Sequence, residues 1–130
     1  MKDNNLYRII DANLNRLKEG IRVCEDIRRY SFNDSKNAYR LKDLRHKASF
    51  KDYEKLISSR DIKNDPLKKT TSSESSRMDL DSVFVANIKR AQESARVLEE
   101  VMKIIDTKEA EKFKKIRYEL YDIERDIIVK

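Results

Sequence analysis

A chain of 130 residues, 42% of them charged and with one glycine and one proline, is long enough to bury a modest core and too poor in turn formers for a strand-rich fold, which points to long helices. Its net charge of +6 suits an anionic partner, whether nucleic acid, an acidic membrane surface or a phosphorylated small molecule. One cysteine rules out an internal disulfide, no apolar run reaches the roughly 18 residues of a membrane span, and no signal-peptide pattern opens the chain, so the expected setting is the reducing cytoplasm.

Leu6, Ile10, Leu14, Leu17, Ile21, Cys24 and then Ile27 or Arg28 recur at helical spacing. The first predicted helix follows them, with Asp3 to Asn5 available to cap its start. Cys24 lies on this stripe and reads as a packing residue. Asn33, Asp34 and Ser35 end the connection and cap a second helix over about residues 36–57. Residues 58–79 are polar, serine-rich and contain Pro66. They read as a long loop, and loops of that length are uncommon and often functional. A third helix is expected from about Asp81 to Ile105. A fourth starts at Asp106 or Thr107, where Asp106 and Glu109 have capping-box spacing, and carries the stripe Phe113, Ile116, Leu120, Ile123 and Ile127. Short links make paired helices antiparallel. The expected fold is therefore all-α: one helical domain over 1–130, an antiparallel four-helix bundle made of two helical hairpins, about 6–57 and 80–128, joined by the long polar loop.

The hairpins are copies of each other. ANLNRLKEGIRVCEDI from Ala12 returns as ANIKRAQESARVLEEV from Ala86, and LKDLRH from Leu41 returns as FKKIRY from Phe113. Internal duplication predicts a pseudo-twofold axis through the bundle. The copies keep charged letters better than apolar ones: Asn13/Asn87, Arg16/Arg90, Glu19/Glu93, Arg22/Arg96 and Glu25/Glu99 are shared, while Leu17 becomes Ala91 and Ile21 becomes Ala95. On a helix, Ala12, Arg16, Glu19, Val23 and Asp26 form a second stripe beside the apolar one, repeated by Ala86, Arg90, Glu93, Val97 and Glu100. Such a stripe suits a polar cleft, in which alanine leaves room for a ligand or a close helix.

Arg117 falls on or beside the inner face of its helix, and Arg45 holds the matching place in the first hairpin. A buried guanidinium must be paired, and its planar fork matches carboxylate or phosphate. Two pairings are open. One is an internal network tying Arg16, Arg45, Arg90 and Arg117 to Glu19, Glu25, Glu93 and Glu99; the other is an anionic ligand between the hairpins. His46 is the only histidine, which gives no support to a two-histidine metal site or a nucleophile triad. One glycine cannot build a phosphate-binding glycine loop. A nucleotide would need arginine, lysine, helix N-termini and magnesium, for which Glu19 and Glu93 offer hard oxygen ligands. The insert adds Arg60, Asp61, Asp65 and Arg77 and reads either as a solvated linker or as a lid.

IIDANLNRLKEGIRVCEDIRRY, LKDLRH, SSRD, the separate Arg77 and VFVANIKRAQESARVLEEVMK, taken as an ordered set, resemble the all-helical hydroxymethylpyrimidine-phosphate kinases of thiamin biosynthesis, which stand alone or are fused to thiamin-phosphate synthase. The resemblance implies a phosphomethylpyrimidine kinase that turns ATP and 4-amino-5-hydroxymethyl-2-methylpyrimidine phosphate into ADP and the diphosphate. The positions matching the family pattern are Asn13, Arg16, Glu19, Arg22 and Arg45; Arg60, Asp61, Asp65 and Arg77; and Asn87, Arg90, Glu93, Arg96 and Arg117. On that reading arginines 16, 45, 90 and 117 bind phosphates, and Asn13 or Asn87 reads the aminopyrimidine edge. Glu19 or Glu93 holds Mg2+, and Asp61 or one of those glutamates acts on the acceptor, with Asp61, Glu93 and Arg90 as the expected catalytic set. The expected partners are the pyrimidine monophosphate and ATP, with no nucleic acid and no membrane; a homodimer stays open. Competing readings are another all-helical enzyme on small anions, such as a nucleotide pyrophosphatase or a mutase, a helical nucleic-acid-binding module, and a purely structural bundle. Against the nucleic-acid module, aromatic residues are few and acids intersperse the bases.

Overall fold

A computed structural model describes residues 2–70 and 76–129, and within them all regular structure is helical. The part of the predicted loop at 71–75 lies outside the described residues. Helix α1 spans Lys2–Asp26 and runs on into a π turn, Ile27–Ser31. Then come α2 (Ser35–Lys47), α3 (Tyr53–Ser58), α4 (Leu80–Ile105) and α5 (Thr107–Ile128). Asp3 to Asn5 lie inside the first turn of α1 rather than ahead of it. Asn33 sits at φ 50°, a left-handed conformation that asparagine tolerates, and the Asp34 side chain accepts from the Asn37 N–H to cap α2.

The predicted second helix is shorter than expected and ends at Lys47 instead of 57. A continuous helix would carry Phe50 about 180° round from Leu41, into water. Breaking at Ala48 (φ −76°, ψ 87°) lets Phe50 pack against Tyr7, with ring centroids 6.2 Å apart, and lets α3 bury Leu56 against the core. The corner between α4 and α5 falls at Asp106, as its position predicts. Its side chain accepts from Lys108 N–H, while its own N–H goes to the Met102 carbonyl. The reciprocal arm of the expected capping box is therefore not made, and Glu109 pairs with Lys112.

One apolar cluster draws on every helix, from Ile10, Leu17 and Ile21 through Leu41 and Leu56 to Ile88, Leu98, Phe113 and Leu120. α1 and α4 form its central pair and run antiparallel: Gly20 meets Ala91, while Cys24 Sγ, four residues further along, lies 3.6 Å from the Phe84 carbonyl. A Cβ at position 20 would sit 2.9 Å from the Asn87 carbonyl oxygen, so the absence of a side chain sets how closely α1 and α4 approach. α2 packs on α1 and α5 on α4, giving two antiparallel hairpins. The seam between α2 and α5 is polar: Arg40 bonds Glu119 and Asp122, and Asn37 bonds Asp126. Burial pushes the Cys24 thiol up to about 12, so it is a packing residue and no nucleophile. No helix among the described residues is long and apolar enough to cross a membrane.

Candidate functional site

The duplicated charges separate into two sets, and helix geometry explains the division. Glu25 lies nine residues after Arg16, hence about 180° round α1 from it. Glu25 therefore faces α2, where Arg45 meets it with Nε 2.8 Å from Oε1 and a second nitrogen 3.3 Å from Oε2. Glu99 and Arg117 repeat this between α4 and α5 at 3.2 and 2.7 Å, both side chains buried. Hydrogen bonds to Tyr121 and Glu99 hold the Arg117 guanidinium further into its charged range, as the Glu25 bond does for Arg45. Arg45 and Arg117, expected on phosphates, are thus engaged by carboxylates within their own hairpins, and neither lines the cleft described next.

Arg16, Glu19, Arg90 and Glu93 behave differently. They have no hydrogen-bond or ion-pair partner among the described residues, and all four line one groove of about 550 Å³ where α1 and α4 cross. Asn13 and Asn87 line it too, each donating its amide to the carbonyl four residues back, Ile9 at 2.9 Å and Val83 at 2.8 Å. That bond orients both amides alike and leaves each Oδ1 without a partner among the described residues. Gly20 and Ser94, matching positions in the two copies, form the floor. The predicted pseudo-twofold relation is therefore visible in the groove itself, with one Asn–Arg–Glu triad contributed by each hairpin.

Arg22 and Arg96 do not join the groove. Each lies a further 60° or so round the helix from the preceding glutamate and pairs with an acid four residues on, Asp26 at 3.5 Å and Glu100 at 3.2 Å, in open solvent.

At the first-hairpin end the groove widens into a cleft of about 770 Å³ that shares Asn13, Arg16 and Glu19 with it and is closed by Arg60, Asp61, Ile62 and Asp65. Arg60 is clamped by Asp11, with Nε 2.6 Å from Oδ2 and a terminal nitrogen 3.1 Å from Oδ1, and Asn15 completes Asp11 at 3.2 Å. Asp11 is buried and escaped the comparison of the two copies because its counterpart is Val85. The remaining signal was an acid directly after the apolar Ile9-Ile10 pair. Asp61 accepts from Asn64, and Asp65 accepts from the Leu67 N–H, which ties them into two successive turns at the cleft's edge. At the other end, Arg77, Ser82 and Ala86 line a shallower hollow.

Glu19 and Glu93 are the residues able to hold a divalent cation in the groove. Among the described residues no three His, Cys, Asp or Glu side chains cluster as a metal cage. Two carboxylates are fewer than a protein cage supplies, and suit only a divalent cation that takes its other ligands from water or from a bound ligand's oxygens.

The chain is 36% identical over 124 residues to a thiamine-phosphate synthase of Nostoc punctiforme, covering 95% of this chain and 35% of that protein. It is 38% identical over 121 residues to the thiamine-phosphate synthase of Thermosynechococcus vestitus (92% and 34%) and 38% identical over 130 residues to that of Rhodopirellula baltica (96% and 35%). The chain thus spans about a third of the length of the curated relatives it matches. No solved structure matches it. Residues 8–126, a span that takes in both copies of the repeat, match a single family: the chain belongs to the ThiD2 family.

Proposed function

We propose that this chain acts in thiamine biosynthesis as an ATP-dependent kinase, converting 4-amino-5-hydroxymethyl-2-methylpyrimidine phosphate into its diphosphate. The observation that carries the reading is the pair of arginines without a partner among the described residues, Arg16 and Arg90, converging on one groove with Asn13, Asn87, Glu19 and Glu93. Cations without a carboxylate partner, next to others that have one, are available to a polyanion. The thiamine-phosphate synthase relatives supply the pathway, and the resemblance of the repeated charged pattern supplies the pyrimidine substrate.

In this reading an oxygen of the acceptor's phosphate attacks the γ-phosphorus of ATP. The bond from that phosphorus to the β–γ bridging oxygen breaks, and its electron pair leaves with ADP. A phosphate monoester has its second ionisation near pH 6, so the acceptor is largely a dianion at neutral pH and no general base is required. Asp61 then orients the acceptor and does not deprotonate it. The main obstacle is repulsion between two anions, and Arg16 and Arg90 offset it by holding one phosphoryl group each from opposite sides of the crossing. Glu19 and Glu93 would hold Mg2+, which neutralises the transferring phosphates when bound. Their exposure in the groove leaves both carboxylates free to turn toward a ligand.

A coupled ADP assay offering the pyrimidine alcohol and its monophosphate side by side tests this. ADP release is expected with the monophosphate and magnesium, and not with ATP alone. Steady ADP release without any pyrimidine, or none with either compound, would overturn the kinase reading.

A further inference from the structure

The two triads are equivalent in the repeat, yet the hollows that extend from them are not. The Arg60-closed cleft is continuous with the central groove, sharing Asn13, Arg16 and Glu19 with it. Among the described residues, the Arg77 hollow shares no lining residue with that groove and meets it only where Ala86 adjoins Asn87 in α4. A ligand whose ring stands one phosphate away from the reaction centre falls within the continuous cleft. A ligand that reaches from the groove into this further hollow must be long, as a nucleoside carried on three phosphates is.

The chemistry of the linings points the same way. Ile9, Ala12 and Ile62 give the cleft apolar walls for a ring, while Asp61 and Asp65 give it acceptors for an exocyclic amino group. Resting on the kinase reading, we infer that the two ends have fixed and different occupants. The Asn13–Arg16–Glu19 end, closed by the Asp11-anchored Arg60, takes the pyrimidine monophosphate, and the Asn87–Arg90–Glu93 end takes the polyphosphate of the nucleotide. Asp11 is then a positioning residue for the acceptor, acting through Arg60.

The test is calorimetric titration of the full chain, separately with magnesium-ADP and with the pyrimidine monophosphate, on wild type, Arg16→Ala, Arg90→Ala and Asp11→Asn. Arg16 and Arg90 are exposed and have no partner among the described residues, so these two variants should keep the wild-type fold. Arg16→Ala and Asp11→Asn should weaken the monophosphate by roughly tenfold or more and leave magnesium-ADP within about threefold of wild type; Arg90→Ala should do the reverse. A general loss of structure at Asp11 would weaken both ligands, so its selectivity separates positioning from folding. Wild type binding both ligands, with the pattern swapped or with each variant weakening both ligands equally, would overturn the assignment while the kinase reading stands. Wild type binding neither would overturn both.

Discussion

On the kinase reading, Arg90→Ala should leave the bundle folded and lower kcat/KM for the pyrimidine monophosphate by roughly 10²- to 10³-fold, the loss expected when one charge-stabilising donor is withdrawn from a phosphoryl transition state. The side chain is exposed and has no partner among the described residues, so its removal breaks no ion pair and opens no cavity. Arg96→Ala is the matched control. It removes the same charge from the same helix, six residues on, but from an exposed pair with Glu100. Such pairs contribute little, and its kcat/KM should stay within about twofold of wild type. A comparable loss from both variants would mean that net charge matters and the groove does not. A loss below about tenfold in folded Arg90→Ala would remove the arginine from the chemistry.

Glu99→Ala should give the largest loss of stability. It strands Arg117, which is 7% exposed, with the Tyr121 hydroxyl as its one remaining hydrogen-bond partner among the described residues. Breaking a buried pair from one side costs about 3 kcal/mol or more, which for a chain of this size lowers Tm by roughly 10 °C. Replacing both partners, Glu99→Met with Arg117→Leu, should recover most of the loss, because no unpaired charge is left inside. Glu25→Ala should cost less than Glu99→Ala, since the Arg45 side chain is 17% exposed and can turn toward water. Thermal unfolding followed by circular dichroism measures all three. A double variant no more stable than Glu99→Ala would show that the cost lies in lost packing and not in a stranded charge.

The hairpins and the groove were legible for different reasons. Apolar spacing, with capping residues at the ends, gave α1 and α5, because an unbroken stripe such as Phe113, Ile116, Leu120 and Ile123 has one helical solution. The break at Ala48 was hidden because Leu41, Leu44, Ala48 and Leu56 still read as one stripe when Phe50 is ignored. Whether Phe50 meets Tyr7 depends on a neighbour in space that spacing cannot supply. The repeat identified the charged positions but could not say which of them face inward. Arg16 and Arg45 look alike in the alignment of the two copies, and only the third dimension gives Glu25 to Arg45. Asp11 was hidden for the opposite reason: it breaks the repeat, and asymmetry is what a comparison of copies discards.

The most direct measurement maps amide chemical shifts of the isotope-labelled chain during titration with magnesium-ADP and then the pyrimidine monophosphate. Binding at the crossing of α1 and α4 predicts that the largest changes fall at and beside Asn13, Arg16, Asn87 and Arg90, drawn from both copies and lying on a single face. Changes confined to the opposite seam around Arg40 and Lys112, or no change with both compounds at millimolar concentration, would contradict it.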